Sequence, residues 1–248
     1  MIASIAGNEL RRLFLSPLAW SLLAVMQLLL GWLFLVQIET FLELQPRLAA
    51  LENPPGITEL VAMPLFDSAA VILMLLVPLL SMGLFSREFL NGTFSLLLTS
   101  PVSMTSLVVG KYLALLATLA IMLLLVALMP LSLLLGGSLD LGTLSAGLLG
   151  LALTLAAYGA VGLFLSSLSR QPAIAAIGSY GVLLLLWIIN LAGSGRGSAL
   201  FGQLAISSHF HRLLSGLVVS SDLFYFALLI ATCLILTIRR LDTLRSDG

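Results

Sequence analysis

The chain's 248 residues are 60% hydrophobic and only 9% charged, with a formal net charge of zero. A soluble domain carries about 25% charged residues, so this composition leaves too little polar surface to face water and calls for lipid as the solvent. Zero net charge gives no sign of a nucleic-acid or acidic-ligand binder, and a single cysteine, Cys233, excludes an internal disulfide and reads as apolar packing.

At the N-terminus, Ala3–Phe14 places Ala6, Leu10, Leu13 and Phe14 on one helical face, with Asn8, Arg11 and Arg12 elsewhere. The pattern predicts a short helix lying along the inner membrane surface, ended near Ser16-Pro17 and carrying Glu9, Arg11 and Arg12. The apolar run that follows is longer than the roughly 7–15 residues of a signal-peptide core, so it is expected to be a retained first span.

Six spans are predicted, at about Leu18–Ile38, Phe66–Phe85, Ser106–Leu131, Leu144–Leu165, Ala173–Ile189 and Leu223–Ile238. The third contains Pro130, where a kink is expected. The whole chain, 1–248, reads as one all-helical, polytopic membrane domain with no soluble domain and no internal repeat.

With six spans both termini lie on one side. That side holds Arg11, Arg12, Arg87, Lys111, Arg170, Arg239, Arg240 and Arg245, against Arg47, Arg196 and Arg212 on the other. The basic excess predicts both termini in the cytoplasm, and hence a multi-pass protein of the inner (cytoplasmic) membrane.

Two segments are expected outside. Glu39–Leu65 reads as a proline-containing loop whose stretch Glu39–Leu51 is compatible with helix; Ala192–Asp222 contains a part, Leu204–Val219, too polar to cross and apolar enough to enter the outer membrane edge.

The inner loop Ser86–Thr105 is the most informative stretch. Arg87 and Glu88 end the second span, Gly92 permits a sharp turn, Thr93 can cap a short helix through Leu98, and Pro101 stops it. Gly110 and Lys111 begin the next span. The product is a stiff helix across the ends of two spans, able to pass motion from a soluble partner into the membrane. On spacing alone it is equally an ordinary capped connection.

The series Gly92-Thr93-Phe94, Leu96-Leu97, Thr99-Ser100-Pro101-Val102-Ser103, followed by Gly110-Lys111, resembles the loop after the second span of type-2 ABC exporter permeases, in particular the gliding-motility (GldF-like) group. Asn8-Glu9-Leu10 to Ser16-Pro17 resembles that family's N-terminal interface helix. Leu163–Ser169 with Gln171 and Ala173 resembles its fourth-to-fifth junction, and Ser207–Phe210 with Gly216, Asp222-Leu223 and Tyr225-Phe226 its segment before the last span. One departure is Ser95, where the family often has Glu, so the resemblance does not carry over an ion pair with the ATPase at that position.

The resemblance implies a half-transporter. Two permease subunits, like or unlike, would pair in the bilayer, each seating a separate ABC ATPase against the inner loop and N-terminal helix. Arg87, Glu88, Gly92, Thr93, Thr99, Ser100 and Pro101 would form the coupling surface. ATP and Mg would reside on the ATPase, in keeping with the lack of a P-loop pattern in this chain. The implied function is ATP-driven export; the alternative is a mechanotransmission subunit driving a periplasmic accessory protein, with the outer loops as its docking surface.

Other candidates read as structural. His209 and His211 stand two apart, a spacing that points in different directions on a helix and lacks an adjacent Cys or carboxylate, so a metal site is disfavoured. Gln27, Gln37, Tyr180 and Asn190 are expected to make interhelical hydrogen bonds, and Asp67 to mark the start of the second span. Gly147, Gly150, Gly159 and Gly162 predict close helix packing, and Met63, Met74, Met82, Met122 and Met129 fill gaps. No span carries a catalytic pair or a confidently mid-membrane ionisable residue, so neither an intramembrane enzyme nor an ion-coupled carrier is expected.

Overall fold

A computed structural model describes residues 2–48, 55–93, 103–135, 139–189 and 199–246, and what it describes is helical, with no strand among the described residues. Helix α1 (Ile2–Leu15) ends at Ser16, and Pro17 opens α2 (Pro17–Leu48). Proline suits that position because the first helical N–H has no partner to lose.

A turn of π-helix, Thr58–Ala62, runs directly into α3 (Met63–Ser81), and a break at 82–85 separates α3 from the short α4 (Ser86–Leu90). Then follow α5 (Met104–Ser132), α6 (Leu141–Leu168), α7 (Pro172–Ile188), α8 (Ala199–Leu204), α9 (Ile206–Leu214) and α10 (Ser220–Ser246).

Among the described residues, five helical segments are long and apolar enough to cross a membrane: Pro17–Arg47, Thr58–Leu90, Met104–Ser132, Leu141–Leu168 and Ser220–Ser246. The expected fifth span corresponds to α7, which is apolar but has only 17 residues.

The helices overrun the expected spans. Helix α2 continues through Glu39 and Glu43 to Leu48, and its 32 residues rise about 48 Å against a hydrocarbon core of about 30 Å. The expected outer loop is therefore much shorter than Glu39–Leu65. Asp67 is likewise not a helix-start residue, since the helix beginning at Thr58 puts it more than two turns inside. Hydropathy marks the apolar centre of a helix, while its polar ends still satisfy their backbone by continuing to coil. Pro130 lies in the last turn of α5, which tightens into a 3-10 turn at Leu133–Leu135.

Helix α6 is the centre of the bundle, packing against α3, α5, α7, α9 and α10. Its glycines explain how it can touch so many neighbours. A Cβ on Gly147 would lie 2.9 Å from the Phe66 ring, and one on Gly150 2.8 Å from Leu213 Cβ. Gly162 likewise meets Ser81, and Tyr158, Leu151 and Leu155 are fully or almost fully buried between them. Asp140 starts this helix by accepting from Gly142 N at 2.9 Å and from Thr143 Oγ1 at 2.6 Å. Those bonds, Thr143's first, hold the Asp140 carboxyl below the usual carboxylate range. The peripheral α2 instead exposes Leu28, Trp32 and Leu35 to its surroundings, an apolar face suited to lipid.

Candidate functional site

Helix α1 and the C-terminal end of α10 lie at one end of the bundle, where Lys111 joins segments distant in sequence. Gly110 makes this possible. A Cβ there would stand 2.8 Å from Ile5 Cγ2 and 3.3 Å from the carbonyl of Ile2, so α1 rests almost directly on the α5 backbone. The next residue then reaches under α1 instead of out to water.

Lys111 is 1% exposed. An ammonium has three N–H donors, and all three find acceptors: Glu88 Oε1 at 2.6 Å, Leu84 O at 2.8 Å and Glu9 Oε2 at 3.3 Å. The Phe85 ring lies 5.3 Å from the nitrogen, within cation–π range. Arg12 adds a second positive charge, 4.0 Å from both Glu9 Oε1 and Glu88 Oε1. Two carboxylates and two cations thus balance, which a site this dry requires. One atom is left over: Glu88 Oε2 is buried without a hydrogen-bond partner among the described residues.

Beneath this cluster the α3–α4 break is pinned by α6. Ser166 Oγ accepts from the N–H groups of Phe85 (3.0 Å) and Ser86 (3.2 Å) and donates to Met82 O (2.8 Å). Ser86 Oγ donates to the same Met82 carbonyl. A broken helix frees backbone groups that must be satisfied in a buried setting, and these two hydroxyls do so. The break is a held joint, not an unfolded one.

The expected coupling residues divide as follows. Glu88 is the acidic partner of Lys111. Arg87 folds over Gly83, whose Cβ would meet Arg87 Nε at 2.6 Å, and lines a small cleft against α1 with Glu9, Arg12 and Ser16. Gly92 takes φ of 70°, the left-handed conformation glycine permits. Thr93 Oγ1 donates to Glu88 O at 3.4 Å. Thr99, Ser100 and Pro101, with the expected short helix, lie outside the described residues. On α1, Glu9 and Arg12 enter the cluster while Arg11 is exposed. Sequence reasoning missed the roles of Lys111 and Ser166.

At the opposite end, α9 folds back onto α6, with Phe210 and Leu213 fully buried. Asp222, at the start of α10, is 0% exposed and holds two partners. His209 Nδ1 lies 2.6 Å from its Oδ1, and Arg212 Nε donates to its Oδ1 and Oδ2 at 3.1 and 3.2 Å. The hydrogen bond from Arg212 to Asp222 raises the pKa of that guanidinium further. His209 Nε2 faces the carbonyl of Gln203 at 2.9 Å, which fixes a proton on that nitrogen. Tyr225 stacks on the His209 ring, centroids 4.0 Å apart, and donates to Leu204 O.

The two histidines do not converge: His211 is exposed, 3.7 Å from Asp67 Oδ1. Among the described residues no group of three or more His, Cys, Asp or Glu gathers to hold a metal. Tyr180 makes the expected interhelical bond, to Leu75 O at 2.7 Å, whereas Gln37 Oε1 is buried with no partner among the described residues, and Asn190 lies outside them.

The described residues form a helical bundle whose five longest apolar helices can each cross a membrane, with a charged joint at the end where α1 meets α4 and α5. The chain belongs to the ABC-2 transporter family: residues 3–239, nearly its full length, match the model described as ABC-2 family transporter protein. The match is to the family as a whole and does not distinguish among its branches. Comparison with curated proteins gives no match.

Proposed function

We propose that the chain is the six-span permease half of an ATP-driven ABC exporter, and that the Lys111 cluster is where motion of a separate ATPase enters the membrane. The observation that carries this is the three-way attachment of Lys111 to Glu9, Leu84 and Glu88. Through it, a push on α1 or on the loop after α4 reaches α5 directly. The same push reaches α6 through Ser166.

Helix α7 serves as the fifth span in this reading. Its 17 residues rise about 26 Å, at the short end of what crosses a bilayer. The basic residues Arg12, Arg87, Arg170 and Arg240 lie at the end that holds the termini, supporting a cytoplasmic placement of that end in an inner membrane. Helix α1 then lies on the cytoplasmic surface, and the loop containing Thr99, Ser100 and Pro101 supplies the coupling helix. ATP and Mg bind the partner ATPase. Two permease subunits pair through apolar faces such as that of α2, and the loop motif from Gly92 to Ser103 supports a kinship with the gliding-motility permeases.

The test is reconstitution with a partner ABC ATPase. Arg87→Glu should leave insertion intact and lower substrate-dependent ATP turnover; unchanged coupling would remove Arg87 from the docking surface. A mechanotransmission role is favoured by one feature, the α2 overrun through Glu39 and Glu43, which offers a post for a periplasmic protein. ATP turnover that depends on such a protein, without substrate movement in vesicles, would select that reading.

A further inference from the structure

We infer that the cleft walled by α7 and α10 and floored by α6 is a binding site for one anionic phospholipid, in the leaflet at the end that holds the termini. Helix α6 packs on both α7 and α10, while those two scarcely meet each other. The space between them is a cavity of about 320 Å³ lined almost wholly by apolar groups, among them Phe164 and Leu165 of α6, Val182 and Leu186 of α7, and Leu229 and Leu236 of α10.

One turn further along the same faces the chemistry changes. Leu165 gives way to Leu168 and Leu236 to Arg240, positions three and four residues on and therefore aligned on a helix. Here lies a second cavity, of about 200 Å³, lined by Ser167, Arg170, Arg240 and Leu244. Arg170 and Arg240 are exposed, and neither has an acidic partner among the described residues.

The dimensions fit a lipid. From Arg240 to Tyr225, the far end of the apolar lining on α10, the helix rises about 22 Å, deeper than the roughly 15 Å of one hydrocarbon leaflet, so the groove takes an acyl chain along its length and reaches past the bilayer midplane to Leu204. An acyl chain lies along Leu229 and Leu236 while the phosphate sits between the two guanidiniums, whose planar forks match phosphate oxygens. Two cations with no acidic partner among the described residues, at the membrane surface, select an anionic headgroup over a zwitterionic one.

The probe is dioleoyl phosphatidylglycerol, titrated onto the purified full-length protein and read by native mass spectrometry, with dioleoyl phosphatidylcholine and glycerol phosphate as the other arms. Retention of the anionic lipid should exceed that of the zwitterionic one by about tenfold or more. Arg170→Gln/Arg240→Gln should abolish that preference, whereas Arg239→Gln, one position outside the cavity lining, should keep it. Leu229→Trp, which fills the groove, should reduce retention of both lipids. Three results would overturn the site: a preference that survives in the double variant, displacement of the lipid by glycerol phosphate, or full retention in Leu229→Trp.

Discussion

Lys111 Nζ lies 2.6 Å from Glu88 Oε1, and this bond closes the end of the bundle where α1, α4 and α5 meet. Neither side chain has water to fall back on, since Lys111 is 1% and Glu88 8% exposed. Removing one partner therefore strands the other, which is far costlier than losing a surface pair.

Lys111→Met keeps the length of the side chain and removes its charge, leaving Glu9 and Glu88 side by side with only Arg12, 4.0 Å from each and half exposed, to offset them. The expected loss is about 3–5 kcal/mol, the usual penalty for an orphaned buried charge. Adding Glu88→Gln should recover a substantial part of it. A double-mutant cycle of unfolding in detergent measures the coupling, and additive effects would show that the pair does not interact.

Gly110→Ala should push α1 from its seat, because the new methyl would meet Ile5 Cγ2 at 2.8 Å and the Ile2 carbonyl at 3.3 Å. Overpacking of this kind costs about 1–3 kcal/mol. Ile5→Ala makes room and should restore part of the stability, though not against the backbone carbonyl. Proteolytic release of α1 reports the outcome.

Ser166→Ala removes the acceptor shared by Phe85 N and Ser86 N. Each buried group left unpaired costs about 1–3 kcal/mol. Amide hydrogen exchange should accelerate at residues 85 and 86 well before the rest of α3. Unchanged protection there would mean that the break holds without α6.

Asp222→Asn weakens the partner of both His209 and Arg212. The loss should be about 1–3 kcal/mol, less than for a fully buried ion pair because the Arg212 side chain is 43% exposed, and α9 should detach locally. Fluorescence of Trp187, whose ring lies 6.2 Å from that of Phe210, reports that detachment.

Much of this architecture was legible in the residues, because apolar runs in a charge-poor chain leave few alternatives. The Gly147, Gly150 and Gly162 stripe declares close packing, and the structure supplies the partners Phe66, Leu213 and Ser81. The site was legible only in outline. Gly110-Lys111 stands out as a motif, yet Lys111 looks like a boundary residue when its span is begun near Ser106. The helix in fact starts at Met104 and α1 covers it, so the lysine is two turns inside. The Asp222–His209 pair was equally hidden, because it depends on α9 turning back over the bundle. Hydrophobic periodicity locates helices and says little about which polar residues tertiary folding will bring together.

The most direct test of the coupling account is a distance between spin labels on two helices that the push reaches only after Lys111, α5 at the exposed Leu124 and α10 at the exposed Leu228, in the complex with its ATPase. Trapping the ATPase with ATP and vanadate should shift that distance in the otherwise native chain and leave it unmoved in Lys111→Met, with the ATPase still bound. An equal shift in both proteins would contradict the account, because the push would then reach the membrane helices without passing through Lys111.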